Sequence, residues 1–81
     1  MDLARVYLAQ GDPQAAVDAL RKALRANPDA YPAHALLFEA FLRLGDQAAA
    51  RTEMDLARQL GQAIDAGLLE EWTRQGGVAP Q

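Results

Sequence analysis

Apolar residues recur along this chain with the spacing of helices and nowhere with the strict alternation of strands. Residues 2 to 10 place Leu3, Val6, Tyr7 and Gln10 at i, i+3, i+4 and i+7, with Leu8 flanking, which predicts a short amphipathic helix stopped by Gly11. Asp12 and Pro13 then supply a capping side chain and a proline at the first helical position, where a missing N–H costs nothing. They open a second helix, about 13 to 26, with Ala16, Val17, Leu20, Ala23 and Leu24 as its buried stripe. It ends at Asn27, because a residue before proline is pushed out of the α region. A third helix is predicted over about 32 to 44, burying Leu36, Leu37, Ala40, Phe41 and Leu44, and a fourth from Gln47 to about Leu60, burying Ala49, Ala50, Met54, Ala57 and Leu60. Gly61 stops the fourth. The fifth starts at Asp65, with Ile64 placed to staple onto Leu69, Glu70 and Glu71 near its positive end, and Arg74 and Gly76 at its close. Leu68, Leu69 and Trp72 form its apolar face.

Gly45-Asp46 repeats Gly11-Asp12 after 34 residues. Sliding the chain by that interval aligns Leu3 with Leu37, Leu8 with Leu42, Ala15 with Ala49, Ala16 with Ala50 and Ala23 with Ala57. Tyr7 and Phe41, and Leu20 and Met54, are similar pairs. The matches fall on helix-packing positions and on the inter-helix turn, where a stacked two-helix unit must keep its geometry.

On these residues the chain resembles tandem tetratricopeptide repeats. In the first unit Leu3-Ala4, Tyr7, Gly11-Asp12, Ala16, Leu20, Ala23-Leu24 and Asn27-Pro28-Asp29 follow the family pattern in order. In the second, which starts near Tyr31, Ala33, Leu37, Phe41, Gly45-Asp46, Ala50, Met54 and Ala57 do so. The resemblance covers residues 1 to about 62, and the fifth helix is similar to the solvating helix that commonly follows a last repeat. It implies an all-α, right-handed helix–turn–helix superhelical stack of about five helices. The expected organisation is one unit over 1–75, with repeat 1 about 1–30 and short by roughly one turn at its start, repeat 2 about 31–62 and a cap helix about 65–75. Residues 76–81 read as a flexible tail. Five positions depart from the pattern. Phe38 fills a position usually Gly or Ala, with Ala48-Ala49-Ala50 as the expected compensation. His34 replaces a Trp, Arg51 and Arg58 replace apolar residues, and Gln62 replaces the closing Pro, so stacking beyond the second unit is expected to be non-standard.

Composition narrows the functional classes. Of 81 residues, 18 are Ala and 12 are Leu, a helical and not a strand-rich composition. The absence of Cys removes disulfides, thiolate metal sites and thiol catalysis, and the absence of Ser removes a serine nucleophile. A net charge of −3 argues against a nucleic-acid or anionic-membrane binder. No secretory leader or spanning segment is read in the chain as given, which points to a soluble, cytoplasmic protein. One Lys against seven Arg suggests a GC-rich bacterial source.

Candidate chemistry is sparse. His34 has no metal-type residue at i+4 and reads as a packing residue at a helix start. Glu39, Glu70, Glu71 and the aspartates sit on different helices with no convergent partner, and the glycines are isolated helix stops instead of a phosphate loop. No catalytic, metal or cofactor residue is assigned, and no enzyme activity is expected. Trp72 is expected to pack onto the fourth helix, with Glu70 or Glu71 available to Arg51 or Arg58.

The resemblance implies a concave groove lined by the first helix of each unit, which places Arg5, Leu8 and Ala9 beside Ala35, Leu36, Glu39, Leu42 and Arg43. Leu8, Leu36 and Leu42 would give apolar contact, and Arg5 and Arg43 would meet acidic groups of a peptide or partner protein. Recognition of a chaperone C-terminal carboxylate is not expected, because Arg5 and Glu39 stand where that clamp needs other residues. The alternative is self-association, as a homodimer through a first helix exposing Leu3, Val6 and Tyr7, or service as a scaffold segment of a longer array. If the repeat register is right, Ala16→Leu overpacks the first helix pair and lowers the melting temperature more than Arg43→Ala, which leaves folding nearly untouched. Equal shifts in a thermal melt would contradict the register.

Overall fold

The computed structural model describes residues 2–30 and 32–76. Five helices occupy them: α1 Asp2–Ala9, α2 Pro13–Ala26, α3 Ala33–Leu44, α4 Gln47–Gln59 and α5 Ala66–Arg74. The start of the second unit at Tyr31 and residues 77–81 of the tail expected over 76–81 lie outside the described residues.

The repeated Gly-Asp pair builds the same turn twice. Gly11 and Gly45 both sit at φ 77°, left-handed backbone that favours glycine. The N–H of Gly11 donates to Leu8 O and that of Asp12 to Tyr7 O, closing α1 in a Schellman motif. Gly45 to Leu42 and Asp46 to Phe41 repeat the pattern at the end of α3. The Asp12 carboxylate then accepts from Ala15 N at 3.1 Å and that of Asp46 from Ala49 N at 3.1 Å, so each turn both ends one helix and caps the next. Two helical hairpins result, α1–α2 and α3–α4.

The hairpins stack through α3. It packs most extensively on α4 and next on α2, while α1 lies against α2 and touches α3 lightly. Buried residues of α3 point nearly all round: Ala33, Leu36, Leu37, Phe38, Ala40, Phe41 and Leu42. From α2 come Ala16, Val17 and Leu20, and from α4 Ala50, Met54 and Ala57. Ala16 and Ala50 have no exposed surface, which lets the helices of each hairpin approach closely. Arg21 on α2 places its guanidinium 5.8 Å from the Phe41 ring centroid, covering the outer edge of that contact.

Leu44 and Leu60 are corrected as core positions, whereas the exposure expected of Leu3 and Val6 on the first helix is found. Leu3 and Val6 are 56% and 47% exposed, and Ala4 is what α1 buries, with Tyr7 and Leu8 half-buried. The equivalents Leu37 and Ala40 are buried because α2 lies against α3; among the described residues no element lies in that place against α1. Leu44 and Leu60 are exposed where their helices end. Ala48 is exposed too, so Phe38 does not rest on three alanines. Its ring instead meets Trp72 of α5 edge-on, at 6.3 Å between centroids and 66° between planes. Trp72 is buried, and α5 is further tied by Arg43 to Glu71 and by Gln47 Nε2 to the Gln75 carbonyl. The expected pairing of Glu70 or Glu71 with Arg51 or Arg58 is replaced by this Arg43–Glu71 pair.

Gln62 explains how α3 begins without a cap of its own. Pro32 at the N-cap has no side-chain acceptor, so the first N–H groups of α3 need a partner from elsewhere. The buried Gln62 side chain, in the loop after α4, accepts from Ala35 N at 3.1 Å and donates to Ala30 O at 3.5 Å. His34 Nδ1 lies 2.6 Å from Glu53 Oε2 on α4 and fastens the same end. Gln62→Ala leaves the Ala35 N–H without an acceptor and is expected to cost about 1–3 kcal/mol in urea unfolding. Gln62→Glu, which keeps an acceptor beside a helix N-terminus, is expected to lose less; equal losses would remove the capping role.

Candidate functional site

Arg5, Leu8 and Ala9 fall at i, i+3 and i+4 of α1, and Leu36, Glu39 and Arg43 at i, i+3 and i+7 of α3, so each set shares one helix face. The structure brings these six together around one open cleft of about 380 Å³. Ala35 lies next door, in a second cleft of about 240 Å³ that shares Arg5, Leu36 and Glu39 with the first and runs on to Leu68 and Asp65 at the start of α5. Leu42 lines neither cleft: it is 2% exposed and belongs to the core, so its expected contact with a partner is corrected. It follows Phe38 by one helical turn and so faces the side that α5 covers.

The charges differ from the expected pair of free arginines. Arg43 Nη1 lies 3.3 Å from Glu71 Oε1 and Nη2 4.0 Å from Glu39 Oε2, so its guanidinium bridges α3 and α5. The two carboxylates thus do converge, against the reading that none does, but they converge on a cation and form a partly exposed ion-pair triad. Arg5 has no ion-pair partner among the described residues. The face therefore offers one unpaired cation at α1, apolar contact from Leu8, Leu36 and Leu68, and carboxylates toward α5.

The contribution of α5 is what reasoning from the sequence missed. Its signal is the same 34-residue shift, which carries Phe38 onto Trp72 and His34 onto Leu68, placing α5 where a third first helix would stand. His34, the single histidine, spends its Nδ1 on Glu53 and lines neither cleft of this face. Among the described residues no group of three or more His, Asp or Glu side chains could hold a metal ion. No helix among them is long and apolar enough to cross a membrane.

No match is found among the curated proteins or the solved structures. A family model described as tetratricopeptide repeat matches residues 1–68, which takes in both hairpins, both Gly-Asp turns and the loop carrying Gln62. With helix order, turns and packing agreeing on the same unit, the chain belongs to the tetratricopeptide repeat family.

Proposed function

We propose that the chain holds a segment of another protein in the cleft between α1 and α3. Tetratricopeptide repeats are in general protein–protein interaction modules and typically non-catalytic. The observation that carries the reading is the convergence of Arg5, Leu8, Ala9, Leu36, Glu39 and Arg43 on one open cleft that continues toward α5. An apolar side chain of the bound segment sits against Leu8 and Leu36, and a carboxylate meets Arg5. Arg43 is a weaker donor to such a group, since an incoming acid competes with Glu71 and Glu39 for the guanidinium. The segment that fits best is therefore apolar with one acidic residue, placed at the α1 end.

Self-association is supported by one separate observation, the exposed Leu3 and Val6 on the outer side of α1. The two readings make opposite demands on the same preparation. Selection from a random peptide display library on the monomeric protein is expected to enrich apolar sequences with a single acid. Counter-selection with Arg5→Glu or Ala9→Glu, both at exposed positions, is expected to remove them. A concentration-dependent dimer in sedimentation velocity that Leu3→Gln abolishes, with no peptide enriched, would favour self-association instead.

A further inference from the structure

A further cleft, of about 420 Å³, lies between α4 and α5 and meets the cleft beside Ala35 only at Ile64. Met54, Ile64, Leu69 and Trp72 give it an apolar wall, and Arg58 and Thr73 stand at its side. Its size lies in the range of pockets that hold a ligand or an anchoring side chain.

The internal repeat shows what kind of object covers such a surface. Moving back by 34 residues carries Met54 onto Leu20, Ile64 onto Ala30, Leu69 onto Ala35 and Trp72 onto Phe38. In that earlier position the surface is closed. Phe38 and Leu20 are buried, α4 packs along α3, and Gln62 just after α4 takes up Ala30 O and Ala35 N. The closing element is thus an amphipathic helix whose inward face is Ala50, Met54 and Ala57. At α5 the same surface recurs with no such helix among the described residues. Two polar groups there are also left over. Among the described residues Arg58 forms no ion pair and the buried Trp72 Nε1–H donates to no acceptor. The equivalent of Arg58 in the earlier position is the apolar Leu24, packed against the core. The charge is therefore particular to this cleft and asks for an acid.

We propose that the cleft between α4 and α5 docks an amphipathic α-helix of a partner protein, with a small-residue apolar face and an acidic residue that pairs with Arg58. Its small residues allow close approach to Trp72 and Leu69, as Ala50 and Ala57 do to α3. The site is separate from the cleft between α1 and α3, and a protein using both engages two segments at once.

The probe is a capped synthetic peptide with the sequence of residues 46–60, which carries the alanine face of α4 together with Glu53 and Asp55. Trp72, the single tryptophan, reports on the cleft by fluorescence. A saturable change in its emission is expected. Arg58→Glu, an exposed position, is expected to weaken binding by roughly fivefold or more, through loss of the pair and repulsion of the acid. A peptide with Gln in place of the residues matching Ala50, Met54 and Ala57 is expected not to bind, and circular dichroism checks that the variant protein keeps its helices. Absence of a saturable change overturns the proposal. So does binding that ignores Arg58→Glu and is lost with Arg5→Glu, which would move the helix to the other cleft and leave the proposed function standing.

Discussion

Everything in this fold hangs on the burial of α3 between its neighbours. A helix of twelve residues with seven of them buried has no solvated face wide enough to stand alone. It needs α2 on one side and α4 on another, and α5 reaches it through Phe38 and Trp72. Each neighbour in turn buries only a narrow stripe, three residues in α2 and three in α4, and that stripe is directed largely at α3. The small side chains at Ala16, Ala40 and Ala50 are what make this affordable in space: with no exposed surface at any of them, a larger side chain has nowhere to go.

The same constraint places the candidate site. Because α3 is held from several sides, Leu36, Glu39 and Arg43 are presented on a rigid element opposite α1, and the cleft between them is a consequence of packing instead of loop conformation. Gln62 and the His34–Glu53 pair fix the end of α3 nearest Ala35, while the Arg43–Glu71 pair ties its other end to α5. Those ties also set the charge pattern, since an arginine engaged by two carboxylates differs as a recognition element from Arg5, which has no ion-pair partner among the described residues.

Much of this was legible from residue order. The two Gly-Asp turns, the proline after Asp12 and the extended Asn27 before Pro28 are local signals, and the helices they delimit follow them to within a residue or two. Position along a helix face was less legible wherever a partner had to be known. Leu44 and Leu60 have the periodicity of a buried stripe yet are exposed, because periodicity marks a face and does not say whether another helix covers it. Leu42 errs the other way: on a helix packed on several sides, an apolar residue outside the main stripe is still core. Gln62 carries no local signal, since its partners Ala30 and Ala35 lie 32 and 27 residues away in sequence. Six of the eight expected groove residues do share one cleft, and whether a partner occupies it is a separate question of chemistry.

Native-state hydrogen exchange tests the central role of α3 most directly. The amides of Leu37 to Phe41 are expected to exchange only through global unfolding, with Ala35 protected through its bond to Gln62, while α1 and α5 open in smaller steps at lower free energy. Protection greatest in α1 or α5, or a rapidly exchanging Ala35 amide, would contradict the account.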